Sequence, residues 1–263
     1  MSSPSVKWTQ PHTLAALHLY TLLPFGKLHH GTPEIQQLAA WEGRTPGSVA
    51  MKLVNFASLD PQIMASGRAG LSGATNQDRA LWAALQNNWD EVAQEAANAY
   101  AMLALDHGVA SDSSLIEEIE EPLAIQEGRM RSAWVQVRVN QARFRKSVLA
   151  SYHATCCIRG LQHEKLVIAS HIVPWRMDRK NRLNPQNGLC LSALHDKAHD
   201  QGLITVMPDF TVRVSPAFKA HQADSFMADA LLRFNGQAIR LPERFRPAPE
   251  FLAFHARAFG FIA

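Results

Sequence analysis

SHIVPW at 170–175, the basic run RMDRKNRLNPQ at 176–186 and NGLCLSALHDKAHDQG at 187–202 form the stretch whose reading decides this chain. Leu166 to Ala169 is a short apolar run and reads as a strand that carries His171 at its end. Asn187 opens a second apolar run, GLCLS, which reads as another strand leading into a short helix. On that helix His195 and His199 stand four residues apart, the spacing that puts two side chains on one face. A histidine on a strand, answered by an asparagine and then by a histidine pair, has the makings of a hydrolytic metal site. A neutral imidazole takes a proton near physiological pH and also ligates metals.

The rest of the chain sets that stretch in context. Its 263 residues suffice for one large domain or two ordinary ones, and 47% hydrophobic with 19% charged residues describes a globular protein. No apolar run reaches membrane-spanning length and the N-terminus lacks a signal-peptide pattern, so an intracellular, cytoplasmic protein with no membrane partner is expected. Cys156, Cys157 and Cys190 include an adjacent pair and no CxxC, which favours reduced thiols and predicts no structural zinc. The net charge of +3 conceals an asymmetry. Residues 1–122 hold 6 Lys and Arg against 13 Asp and Glu, whereas residues 123–263 hold 20 against 10, so the second part is the one suited to a polyanion.

Along the chain, helices are expected at LAALHLYTLL, from Pro33 to Trp41 with Thr32 as cap, and from Pro46 with Thr45 as cap. Gly43 and Arg44 form the turn before the last of these, which resembles a helix-turn-helix unit. Val49, Leu53 and Phe56 face inward, and Arg44, Ser48 and Lys52 are candidate DNA contacts. Ordinary helical packing is the competing reading. A helical pattern runs from Asn76 to about Leu105. Residues 111–130, acidic and containing Pro122, read as a linker with a short helix at Ser114 to Glu121. Trp134 to Val139 alternates and reads as a strand, followed by a helix with Phe144, Val148, Leu149 and Tyr152 inward and Arg143, Arg145 and Lys146 outward. A hairpin with a Pro-Asp turn is expected over LITVMPDFTVRV, then a helix, a short QAIRLP strand and a C-terminal helix. The resulting division is a helical domain at 1–110, a linker at 111–130 and a second domain at 131–263, giving an α+β protein.

The ordered combination over residues 138–206 resembles the HNH endonuclease family, in particular a bacterial branch of restriction-type endonucleases. The matching residues are Phe144, Arg145, Tyr152, Cys156, Gly160, Ser170 to Ile172, Pro174, Trp175, Asn181 to Pro185, Asn187 to Leu191, His195, Asp196, Asp200, Gly202 and Leu203. The resemblance implies a C-terminal ββα-metal nuclease domain that hydrolyses phosphodiester bonds in double-stranded DNA, leaving a 5′-phosphate and a 3′-hydroxyl. It implies one divalent metal per site, Mg²⁺ first and Mn²⁺ or Ni²⁺ as alternatives. His171 would be the general base, Asn187 would hold the imidazole in register or cap its own loop, and His195 would ligate the metal. Many family members have an acid immediately before the base, where this chain has Ser170. The second ligand is left among His199, by spacing alone since the branch carries Phe there, Asp200, which could instead orient an imidazole, and Ser170, which could act only through water. Arg176, Arg179, Lys180 and Arg182 rim the site and can meet phosphates, with Arg143, Arg145 and Lys146 extending the surface. Cutting both strands calls for a homodimer. The alternative is a DNA-binding regulator on the same scaffold with weak or no cleavage.

Overall fold

In the computed structural model, residues 7–68, 73–109, 129–216, 218 and 225–262 are described, with the backbone alone for 129–134. The chain divides into two compact units, residues 1–147 and 148–263. The first is helical among its described residues. The second combines short antiparallel strands with helices.

Unit 1 is built around α1 (Gln10–Leu22), whose residues from Thr13 to Leu22 are all buried. Such a helix must be covered on every side, and α3 (Pro46–Ala57) and α6 (Trp89–Asp106) pack against it, with α2 (Pro33–Trp41) alongside. Thr45 caps α3 by accepting from the Ser48 amide at 3.2 Å, and Pro46 starts the helix where its missing N–H costs nothing. Gly43, at φ +62°, makes the turn between α2 and α3. Val49, Leu53 and Phe56 are fully buried as the periodicity predicts.

Lys52 departs from expectation. It lies on the buried side of α3, its Nζ donating at 2.7 Å to Asp78 Oδ1 on α5 (Asn76–Asn87). The other oxygen of Asp78 accepts from the Thr75 amide at 2.9 Å, completing the capping box that starts α5. One carboxylate therefore both begins a helix and neutralises a buried lysine. The helix expected from Asn76 to Leu105 is in fact two, broken at Asn88, whose side chain accepts from the Glu91 amide at 3.4 Å and caps α6. Asn88 followed by Glu91 is a start signal that the apolar periodicity overrode.

The boundary between the units falls within α7 (Arg129–Ser151), which corrects the strand expected at 134–139. Alternation over six residues is compatible with either state. No Gly or Pro interrupts the sequence from 129 to 151, so nothing separates the alternating part from the helix that follows. The helix and linker expected within 111–128 lie outside the described residues.

In unit 2, β1 (Val167–His171) pairs antiparallel with β2 (Gly188–Ser192), placing Ser170 opposite Leu189 and His171 opposite Gly188. Helix α8 (Ala193–Asp200) follows directly, its first turn capped by Ser192 Oγ, which accepts from the His195 amide at 3.4 Å. It ends at Gly202, whose φ of +65° closes the helix with bonds to the His199 and Ala198 carbonyls from residues 202 and 203. A Cβ at Gly202 would come within 2.1 Å of the Phe259 ring, so only glycine fits. The hairpin of β3 (Ile204–Val206) and β4 (Val212–Val214) forms as expected. α9 (Ser225–Ala230) and α10 (Pro249–Ala258) complete the unit, while the expected QAIRLP strand is reduced to one bridge between Ala238 and Thr211. The three cysteines are free and buried.

Candidate active site

Asn187 fastens the loop that joins β1 to β2. Its side chain accepts from the Val173 amide at 2.8 Å and donates to the Val173 carbonyl at 3.1 Å and the Asn181 carbonyl at 3.4 Å. Its own carbonyl accepts from the Ile172 amide at 3.0 Å. The side chain therefore acts on the backbone immediately after His171 rather than on the ring.

The imidazole is oriented from the far side of the loop. His171 Nε2 lies 3.0 Å from the Arg182 carbonyl oxygen, which can only accept, so Nε2 carries the proton and Nδ1 the lone pair. Trp175 packs edge-on against the ring at 5.5 Å between centroids. Burial pushes the His171 pKa down to about 4, against the upward pull of the Arg182 carbonyl, so the ring is neutral at physiological pH.

The loop is braced from within. Asp178 accepts from the Lys180 and Asn181 amides and from the Asn181 side chain, and Arg182 Nε donates to the Trp175 carbonyl at 2.9 Å while its guanidinium lies over the Trp175 ring. Arg182 is thereby half-buried and part of the loop's own structure. Arg176, Arg179 and Lys180 project from it, exposed.

Helix α8 sorts its polar residues by face. His195, 1% exposed, has both ring nitrogens engaged: Nε2 donates to the Ala230 carbonyl at 2.8 Å, leaving Nδ1 to accept from Cys156 Sγ at 3.3 Å. Burial, the largest influence, raises the Cys156 thiol, but the bond with His195 and the backbone bonds at Arg159 and Ser192 together outweigh it and the pKa falls to about 7. His199, on the same face and equally buried, stacks on His255 of α10 at 3.7 Å with an interplanar angle of 11°. Neither His199 ring nitrogen has a hydrogen-bond partner, and burial followed by the neighbouring His255 holds its pKa well below the ordinary value. His255 is held in turn by Thr205 Oγ1 at 2.8 Å and by the His199 carbonyl at 3.2 Å.

The expected ligand pair of His195 and His199 thus lies on the buried face of α8. To ligate a metal, His195 would have to break one of two core hydrogen bonds, and His199 lies under another ring. Among the described residues no three His, Cys, Asp or Glu side chains converge as a metal-holding group. The next face of α8 carries Asp196, half-buried, and Asp200, exposed. Burial raises the Asp196 pKa; the Ser170 hydroxyl pulls it down and the Asp200 carboxylate pushes it up again. Burial likewise raises Asp200, with Lys197 opposing. Sequence reasoning passed over Asp196, although its spacing of four from Asp200 was the signal that singled out the two histidines.

The remaining expected site residues lie in unit 1. Arg44 Nε is 3.1 Å from Glu42 Oε2, Nη2 donates to the Lys7 carbonyl at 2.7 Å, and the guanidinium sits 4.0 Å above the Trp8 ring. Lys52 is 3% exposed. Of the three residues expected to contact DNA in this unit, Arg44 and Lys52 have intramolecular partners and Ser48 is half-exposed in the first turn of α3. Arg143 and Arg145 are half-buried and Lys146 is exposed.

A family model described as HNH endonuclease matches residues 156–207, which span Cys156, β1, the braced loop, β2, α8 and β3. The chain therefore carries an HNH endonuclease domain over that range, consistent with nucleic-acid cleavage in general. No curated protein matches the chain. Among the described residues no helix is long and apolar enough to cross a membrane.

Proposed function

We propose that the chain is a divalent-metal-dependent DNA endonuclease of the restriction type, with His171 as general base. The observation that carries this reading is the His171 imidazole, neutral and fixed in one tautomer at the end of β1, within the segment matched by the HNH endonuclease model. With Nε2–H committed to the Arg182 carbonyl, Nδ1 takes a proton from water as the water oxygen attacks phosphorus. The P–O3′ bond breaks and the leaving oxygen takes a proton from solvent, giving a 5′-phosphate and a 3′-hydroxyl. Asn187 keeps the backbone after His171 from moving, so the ring holds its direction during the transfer. Arg176, Arg179 and Lys180, exposed on a braced loop, position the strand through its phosphates without reading sequence. A divalent cation, Mg²⁺ or alternatively Mn²⁺ or Ni²⁺, would be held from α8, where Asp200 is the exposed candidate ligand, and would supply neutralisation of the developing negative charge. A homodimer supplies a second cut for a double-strand break.

The burial of His195 favours a second reading, a DNA-binding regulator with little or no cleavage. Digestion of unmodified, methylated and hydroxymethylated duplexes with each of the three ions, followed by end-group analysis, separates the two. Cleavage is expected to leave ligatable ends, and His171→Ala is expected to lower the rate by about 10²–10⁴ while DNA binding persists. A folded protein that binds DNA and cuts no substrate with any ion supports the regulator. Undiminished cleavage by His171→Ala removes the proposed base.

A further inference from the structure

We infer that Met177 is an apolar wedge that enters the base stack of duplex DNA held by the loop between β1 and β2, so that the favoured substrate is a duplex with an easily unstacked step. This deepens the nuclease reading and rests on it for the presence of DNA beside His171.

The loop leaves one large aliphatic side chain out of its own core. Ile172, Val173 and Leu183 are 1%, 5% and 4% exposed, whereas Met177 is 59% exposed. Arg176 before it, and Arg179 and Lys180 after it, are exposed as well. Asp178 is the one carboxylate in the run from 176 to 186, and it is turned inward. It accepts from the Lys180 and Asn181 amides at 3.1 and 3.3 Å and from the Asn181 side chain at 2.7 Å, so the loop's own N–H groups engage its charge. Trp175, the other candidate to meet a base, is held in place: its ring lies edge-on to His171 and 5.3 Å from the Arg182 guanidinium.

The backbone of Met177 is tied to the imidazole. Its N–H donates to the Pro174 carbonyl at 2.8 Å, closing a turn around Trp175, and Arg182 joins the Trp175 carbonyl to His171 through its own carbonyl. A strand displaced by Met177 is therefore displaced relative to a fixed His171. Once the cations on either side hold phosphates, Met177 lies inside the DNA footprint, where an apolar group gains by leaving water for the faces of bases. Its unbranched, adaptable thioether fits a narrow gap. Apolar side chains inserted at a base step unstack it and kink the duplex. That cost is smaller at pyrimidine–purine steps and at mismatches than in a G·C-rich stack, so selection is by deformability and not by hydrogen bonds to base edges.

The test uses the full-length protein in EDTA with three duplexes that differ only at their centre: a G·C-rich step, a TA step or a single mismatch, each beside 2-aminopurine. Wild type is expected to raise 2-aminopurine fluorescence on binding, as stacking is lost. It should bind the mismatched duplex about tenfold more tightly than the G·C-rich one, since part of the cost of opening a step is removed. Met177→Ala should lose the fluorescence rise and bring the affinities to within about twofold of one another while keeping the salt slope, whereas Arg179→Gln should lower that slope by about 1 and keep the preference. Met177→Leu, still apolar, should restore both the signal and the preference. Met102→Ala, which alters an equally exposed methionine on α6, should behave as wild type, with circular dichroism confirming that all variants fold. No fluorescence rise with wild type, a preference unaltered in Met177→Ala, or no binding by wild type to any of the duplexes would each overturn the wedge. Plasmid cleavage measured in parallel keeps the two readings apart. Cleavage that depends on His171, with the step preference unaltered in Met177→Ala, rejects only the wedge. Unstacking that depends on Met177, without cleavage of any DNA by any ion, rejects only the nuclease.

Discussion

Replacing Lys52 by methionine separates two roles for one side chain. Read on the sequence, Lys52 stands on the exposed face of a recognition-type helix and meets a phosphate. In the structure its ammonium lies 2.7 Å from Asp78 Oδ1, with side-chain exposures of 2% and 0%, and 4.7 Å from the Trp8 ring. Removing one member of a buried pair leaves the other charge without its counter-ion, which costs about 3–5 kcal/mol. For a unit of this size that lowers the unfolding midpoint by roughly 6–20 °C. Asp78 would keep its bond from the Thr75 amide, so α5 retains its cap and the loss is assigned to the pair. The double variant Lys52→Met/Asp78→Asn should recover part of the stability, since it removes both charges and keeps an acceptor for Thr75. Thermal and urea unfolding of the three variants, alongside DNA binding at several salt concentrations, makes the measurement. If Lys52→Met unfolds like wild type, and its DNA affinity falls with a salt slope lowered by about 1, Lys52 is a phosphate contact and the core role is refuted.

Asn187→Ala removes the acceptor for the buried Val173 amide and should cost about 1–3 kcal/mol in urea unfolding, together with a fall in cleavage at unchanged DNA affinity. Wild-type stability and activity would show that the loop holds itself. Acid should weaken unit 2: His171 and His255 both have folded pKa values of about 4 because burial disfavours their charged forms. Below pH 6.5 the unfolded chain takes up protons that the folded one refuses, so stability present above 6.5 is lost as pH falls toward 4, by up to about 1.4 kcal/mol per pH unit for each histidine. Asp196 and Asp200, with raised pKa values, act in the opposite sense as they protonate near the carboxylate range. Equal urea midpoints at pH 7 and pH 5 would contradict this.

The β1–loop–β2–α8 stretch was legible because its signals are local. The β1 run, the Asn187 boundary and the start of α8 lie within a few tens of residues, and each has a capping or apolar pattern of its own. The helix cap at Thr45 is of the same kind. The strand read at 134–139 failed because alternation over so short a span says little when no turn residue bounds it. Lys52 misled for a different reason: a cation is assigned to the surface by default, and its counter-charge, Asp78, lies 26 residues away on another helix. The histidines of α8 show the limit most sharply. A spacing of four states that His195 and His199 share a face but not which face it is. What covers them lies 39, 35 and 56 residues away, at Cys156, Ala230 and His255.

The direction in which α8 is rolled has a chemical cause. Two i, i+4 pairs compete for the interior, His195 with His199 and Asp196 with Asp200. An imidazole can be buried in neutral form, and it then needs one donor and one acceptor. The Cys156 thiol and Ala230 carbonyl give His195 both, while His255 covers His199 with an apolar ring face. A carboxylate buried there would have to stay protonated or find a cation inside, and burial already raises the pKa of both aspartates where they stand. The roll that buries the histidines is therefore the less costly one, and it turns the aspartates toward Ser170 and solvent as its consequence.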